Sequence, residues 1–208
     1  MSQGCADYRY ADANPGWAHA YLLPPITDLI NRAAYGNPTR IFEIGVGSGV
    51  FASALAAKGH DVIGIEYSTS AVEIANRSFP DLRIEQGSAY DDLRTRFGQF
   101  PVVLSVEVVE HLYFPRVFAQ RAFEMLEPGG TLIVSTPFHG YWKNLALAVS
   151  GKLDAHFTAL WDGGHIKFWS IRTLGALLTE AGFVNIDFAH VGRIRPFSKS
   201  MIAVARRP

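Results

Sequence analysis

The sequence predicts an α/β fold built on a doubly wound, mostly parallel sheet of seven strands. Short apolar runs alternate five times with segments whose apolar residues recur at helical spacing, and two further apolar runs follow near the end of the chain. The first run, residues 40–44, leads into a turn with alternating glycines at Gly45, Gly47 and Gly49. Such a turn joins a buried strand directly to a helix.

Composition limits the classes of protein to which the chain can belong. Its 208 residues, 49% of them hydrophobic, predict a single domain over residues 1–208. Nineteen basic residues balance nineteen acidic ones, so we expect no nucleic-acid partner and either a monomer or a homodimer. Cys5 is the single cysteine, and no basic region followed by an apolar one opens the chain, which favours the cytoplasm. No apolar run reaches the roughly 18 residues of a membrane span.

The elements are predicted in chain order from apolar periodicity and from capping residues. Residues 1–36 are predicted to form an N-terminal arm and a helix. The arm is loose over residues 1–20, and the helix covers residues 24–34 and begins at the proline pair. Strands are predicted over residues 41–44, 60–66, 82–86, 101–106, 131–136, 184–189 and 201–205. Further helices are predicted over residues 50–58, 71–77, 143–149 and 171–181, and one begins at Pro115 and is closed by residues 127–130.

Residues 137–169 interrupt this regular pattern. The segment is rich in aromatic residues and histidines, and it is too long for a simple connection in a compact domain. We therefore expect a lid insertion of loops and one short helix, which closes over a ligand at the carboxyl ends of the strands.

Two carboxylates accompany the first two strands. Glu66 ends the second strand, where an acidic side chain can accept hydrogen bonds from both hydroxyls of a ribose. Glu43 stands two places before the first glycine. A dinucleotide fingerprint needs its third glycine where Val50 stands, but here that glycine comes one residue earlier, at Gly49. The row from Glu43 to Gly49 instead resembles motif I of the class I S-adenosylmethionine-dependent methyltransferases.

The resemblance extends over about residues 35–135, and the order of motifs matches that of the family. It is nearest to the branch that includes the ubiquinone-biosynthesis O-methyltransferases, because Glu107-x-x-Glu110-His111 follows the fourth strand and a His165-x-x-Phe168 segment precedes the last helix. It implies a Rossmann-like methyltransferase fold and S-adenosyl-L-methionine as the cofactor. It also implies a small-molecule acceptor, with the methyl group moving to an oxygen of a phenol, quinol or carboxylic acid.

The same resemblance assigns cofactor-binding residues. Glu43 and the three glycines would hold the methionine part, Glu66 the ribose, Tyr67 one face of the adenine, and Ser88 with Ala89 its edge. Ser88 stands where the family commonly has an aspartate, which makes it a weaker partner for the adenine amino group. N-terminal segments of the family often cover the cofactor, so a flap is an alternative to a loose arm.

An oxygen acceptor must lose a proton, and His111 and His165 are the candidate catalytic residues. Glu107, Glu110 and His111 would share one face of a helix, where they could bind a divalent cation. The preferred interpretation has no metal: the carboxylates favour a helix start and the histidine lines the pocket.

Two other functions compete with methyl transfer. An NAD-dependent oxidoreductase has the same strand-turn-helix start, but the glycine spacing and the position of Glu43 count against it. A non-catalytic cofactor-binding scaffold would keep the sheet alone, and the intact glycine turn and Glu66 count against that.

Overall fold

The computed structural model describes residues 12–14, 16 and 18–208. Its strands are β1 (Arg40–Ile44), β2 (Asp61–Glu66), β3 (Arg83–Gln86), β4 (Phe100–Val106), β5 (Leu126–Pro137), β6 (Val184–Val191) and β7 (Ser200–Arg206). Its helices are α1 (His19–Ala33), α2 (Val50–Ala56), α3 (Thr69–Ser78), α4 (Leu93–Phe97), α5 (Pro115–Met125), α6 (Tyr141–Val149), α7 (Leu153–Phe157) and α8 (Ile171–Glu180). A single 3-10 turn, Val109–His111, follows β4.

All seven strands form one sheet in the order β3-β2-β1-β4-β5-β7-β6. The pairs among β1 to β5 are parallel, whereas β7 runs antiparallel to both β5 and β6. The predicted doubly wound, mostly parallel fold is therefore confirmed. Because β1 and β4 lie at the centre, their carboxyl ends, with that of β2, define the edge where a ligand binds in such sheets.

Alternate residues of the central strands face two apolar cores, one on each side of the sheet. Phe42 of β1 packs with Phe118 of α5 in one core. Ile41 of β1 packs with Leu104 of β4 and Ile26 of α1 in the other. Burial on both faces explains why these strands have continuous apolar sequences.

The structure corrects the start of the first helix. α1 begins at His19, so Pro24 and Pro25 lie inside it rather than at its first turn. Leu22 and Ile26 are fully buried on its inner face, and this packing outweighs the two backbone hydrogen bonds that the prolines cannot make. Most of the predicted loose arm over residues 1–20 lies outside the described residues.

Residues 127–130 do not form the predicted turn that closes a helix. β5 begins at Leu126, directly after α5, and includes them. Leu126 pairs with Phe100, but the next pair is Thr131 with Val102, so the proline and glycines form an irregularity within the strand.

The lid over residues 137–169 contains two helices, of which the sequence predicted one. No residue of α6 or α7 is fully buried. Trp142 is 60% exposed and Leu160, beyond α7, is 99% exposed. Within residues 18–208, no helix is both long enough and apolar enough to cross a membrane.

Candidate active site

A cavity of about 660 Å³ opens at the carboxyl edge of the sheet. It is lined by the turns after β1, β2 and β4, by the start of α1, and by residues 157–166 of the lid with the exception of Leu160. Most of the predicted site residues lie here: Glu43, Gly45, Gly47, Glu66, Tyr67, Ala89, Glu107, His111 and His165.

The glycine turn after β1 has a left-handed backbone at each glycine, with φ of 79° at Gly45, 55° at Gly47 and 82° at Gly49. A Cβ on Gly45 would lie 2.5 Å from a methyl carbon of Val108. The missing side chain at Gly45 therefore makes room for Val108 as well as for the turn itself. The Gly47 N–H donates to Glu66 Oε2 at 3.0 Å, which ties the turn to the end of β2.

Glu43 and Glu66 place two buried carboxylates beside this turn. Burial, with a smaller contribution from the Glu66 charge, raises the pKa of Glu43 to about 8. Glu43 Oε2 is buried and has no hydrogen-bond partner among the described residues. Burial also raises the pKa of Glu66, although N–H donors from Ser68 and Gly47 lower it. An unpaired buried carboxylate next to a second one is complementary to a positively charged ligand.

Ser88 does not lie among the cavity-lining residues, although its neighbours Gly87 and Ala89 do. The Ser88 hydroxyl accepts a hydrogen bond from the Tyr90 N–H at 3.2 Å. Its own N–H donates to Asp91 Oδ2 at 2.8 Å. These local bonds shape the turn after β3 and direct the Ser88 side chain toward the backbone.

The segment after β4 is a 3-10 turn rather than a regular helix, so its two carboxylates have different partners. Glu107 Oε1 accepts from the Ser135 hydroxyl at 2.9 Å. Glu110 Oε2 accepts from the Thr136 hydroxyl at 3.0 Å, while Glu110 Oε1 is buried without a partner in the described chain. Burial raises the pKa of Glu110 well above its usual range, and the nearby Glu107 raises it further.

Three potential metal ligands meet at this turn. Ligand atoms of Glu110, His111 and His165 all lie within 4.8 Å of one another. Among the described residues, His165 of the lid thus takes the place in this group that the sequence assigned to Glu107. The sequence could not predict this meeting, because His165 arrives from a separate segment.

Burial disfavours the charged form of both histidines. His111 Nδ1 lies 2.9 Å from the Gly163 carbonyl, which can only accept, so Nδ1 carries the proton and Nε2 keeps its lone pair. Burial lowers the pKa of His111. Burial, with smaller contributions from the nearby His111, His156 and Lys143, lowers the pKa of His165 to about 4. Neutral imidazoles can accept a proton or bind a metal ion.

Sequence reasoning missed several residues of the cavity wall. His19 and Leu22 of α1 and Phe51 of α2 line it, as does Trp161 of the lid. The aromatic composition of the lid was a signal for Trp161. No sequence signal pointed to His19 or Leu22, because the helix was expected to begin after them.

Comparison with known proteins identifies the family. Residues 17–187 match the model of the methyltransferase domain family. A ubiquinone biosynthesis O-methyltransferase of Azorhizobium caulinodans is 35% identical over 158 residues, which are 72% of this chain and 60% of that protein. A ubiquinone biosynthesis O-methyltransferase of Psychrobacter arcticus is 30% identical over 162 residues, which are 71% of this chain and 60% of that protein. The chain therefore spans about 60% of the length of these two relatives.

Among solved structures, a similar one is the 1,6-didemethyltoxoflavin-N1-methyltransferase of Burkholderia thailandensis with bound S-adenosylhomocysteine. The two structures match with a TM-score of 0.63 at 16% identity, and the match covers 89% of this chain and 77% of that protein. At that identity the likeness establishes the fold alone. Fold and site together define a domain of the class I type that binds S-adenosylmethionine. The chain belongs to the methyltransferase domain family, and the predicted S-adenosylmethionine cofactor agrees with this membership.

Proposed function

We propose that this chain transfers the methyl group of S-adenosylmethionine to an oxygen of a small phenol or quinol. The group formed by Glu110, His111 and His165 carries this proposal, because His111 and His165 line the same cavity as the glycine turn. The names of the two similar O-methyltransferases support an oxygen acceptor. A carboxylic acid is the remaining oxygen acceptor that the sequence favours.

The residues of the glycine turn fit the cofactor. A cationic ligand favours the ionised forms of Glu43 and Glu66, which would then complement its sulfonium and ammonium groups, and Glu66 lies at the strand end that suits a ribose. When bound, S-adenosylmethionine supplies a methyl group that is already activated for in-line displacement. The task of the protein is then alignment of the acceptor, which can contribute about 7–11 kcal/mol.

The acceptor hydroxyl must lose its proton near the time of transfer. We propose that Glu110, His111 and His165 hold a divalent cation, which would lower the pKa of that hydroxyl. Two observations support this role: Glu110 Oε1 is a buried oxygen without a partner in the described chain, and His111 Nε2 has a free lone pair. In the alternative, one of the histidines takes the proton directly.

Release of S-adenosylhomocysteine in the presence of phenols, quinols, carboxylic acids and amines tests the function. We expect turnover with a phenol or quinol and none with an amine. Turnover with amines alone would contradict an oxygen acceptor. Binding of S-adenosylmethionine without any turnover would favour the scaffold alternative, and calorimetric binding of NAD would favour the oxidoreductase.

The cation is tested with a chelator and with Glu110→Gln, which keeps the side-chain shape. Both should abolish turnover, and Mn²⁺ should restore it after chelation only in the wild type. Glu73→Gln, at an exposed position of α3, is the matched control. Full activity in the chelator would assign proton removal to a histidine instead.

A further inference from the structure

We propose that Tyr21 of α1 and Ser200 of β7 are positioning residues, which form a hydrogen-bond chain that orients the Glu107 carboxylate in the cavity. The hydrogen-bond chain is argued from contacts within the fold, whereas its effect on catalysis rests on the proposed function.

The backbone at Glu107 is strained and needs support. Its φ of 55° is left-handed, a conformation that costs a residue with a Cβ roughly 1 kcal/mol or more. The Glu107 N–H donates to both the carbonyl and the hydroxyl oxygen of Ser135, each at 3.1 Å. Strained residues of this kind occur where a site requires one particular side-chain direction.

The carboxylate of Glu107 is fixed from two strands. Ser135 of β5 donates its hydroxyl to Oε1 at 2.9 Å, and Ser200 of β7 donates to Oε2 at 3.3 Å. Both serines are buried, at 0% and 1% exposure. The direction of the Glu107 side chain therefore depends on two buried hydroxyl donors.

The next link of the chain reaches α1. The Tyr21 and Ser200 hydroxyl oxygens are 3.0 Å apart. Ser200 uses its one proton on Glu107 Oε2, so Tyr21 is the donor to Ser200. Burial raises the pKa of Tyr21 to about 12, which keeps the phenol protonated and able to donate.

This chain connects two walls of one cavity. Ala18 and Leu22, which flank Tyr21 on α1, line the cavity, and so does Glu107 at the end of β4. Tyr21 is 179 residues from Ser200 in sequence, and Ser200 is 93 residues from Glu107. The packing of α1 is thereby coupled to the position of the Glu107 carboxylate in the cavity.

Tyr21→Phe and Ser200→Ala each remove one hydroxyl, and Tyr35→Phe is the control, at a residue 84% exposed just after α1. We expect faster hydrogen exchange in the peptide that contains Glu107 for the first two variants, with unchanged S-adenosylmethionine affinity and Tm within a few degrees. We expect kcat for methyl transfer to fall about three- to tenfold, as for loss of one hydrogen bond.

The double variant tests whether the two hydroxyls act as one chain. Its loss of kcat should equal that of the more impaired single variant, because either change breaks the same chain. Multiplicative losses, or wild-type exchange at Glu107 in Tyr21→Phe, would overturn the proposal. Exchange is measured without an acceptor, so the chain can be tested even if the wild type methylates none of the compounds and the proposed function fails.

Discussion

The His111 imidazole donates from Nδ1 to the Gly163 carbonyl at 2.9 Å, so a ring in the active-site turn holds the lid by its backbone. The adjacent Glu110 carbonyl accepts hydrogen bonds from the N–H groups of Ile166 and Lys167, both at 2.9 Å. One end of the lid is therefore fixed to the turn that carries two of the three candidate cation ligands, Glu110 and His111.

We predict that the rest of the lid is a mobile cover. Residues 141–162 should exchange amide hydrogens rapidly in the free protein, because no residue of α6 or α7 is fully buried. They should become protected with S-adenosylhomocysteine and an acceptor, whereas residues 163–167 should be protected throughout. Complete protection of residues 141–162 in the free protein would mean that the acceptor enters elsewhere.

We predict that Glu66→Ala weakens S-adenosylmethionine binding by about 1.5–3 kcal/mol, roughly tenfold to more than a hundredfold. The variant loses a charged acceptor for the ribose and the acceptor of the Gly47 N–H. Isothermal titration calorimetry measures the change, with the exposed Glu73→Ala as the control. Equal affinities for the variant and the wild type would remove Glu66 from the site.

Ser88→Ala should cost less than about 1 kcal/mol in cofactor affinity, the contribution of one neutral hydrogen bond. The Ser88 hydroxyl already accepts from the Tyr90 N–H, so backbone groups of this turn are left to hold the adenine edge. The same titration, with the exposed Ser78→Ala as the control, measures it. A tenfold or larger loss would show that the Ser88 hydroxyl contacts the cofactor.

Glu43 should make the ligand-free protein less stable as the pH rises. Its folded-state pKa of about 8 lies above the ordinary 4.5, so the folded state holds the proton more tightly and loses stability between these two values. In urea unfolding measured from pH 5 to 8, the free energy of unfolding of Glu43→Gln should rise relative to that of the wild type, by up to about 1.4 kcal/mol per pH unit. If the free energies of unfolding of the variant and the wild type changed equally with pH, Glu43 would not be buried in its protonated form.

Sequence patterns predicted the sheet because its strands are buried on both faces and their apolar runs are continuous. They failed where packing outweighed local preference, as at Pro24 and Pro25 inside α1. They also failed at β5, where a strand continues through a proline and two glycines.

The same distinction applies to the site. Glu43 and Glu66 both line the cavity, because residues at the carboxyl ends of adjacent parallel strands meet at one edge. His165 joins Glu110 and His111 only through the path of the lid, which no local pattern specifies. Ser88 does not line the cavity, and the short-range hydrogen bonds that fix its side chain are not visible in a motif.

Transfer of a deuterated methyl group tests the central claim most directly. The protein is incubated with Mn²⁺, a catechol and S-adenosylmethionine that carries a CD3 group, and the products are identified by mass spectrometry and NMR. We predict a CD3 group on a catechol oxygen, with one S-adenosylhomocysteine released for each methylated product and a much lower rate for Glu66→Ala. A CD3 group on carbon, or no S-adenosylhomocysteine beyond that of the Glu66→Ala variant, would contradict the account.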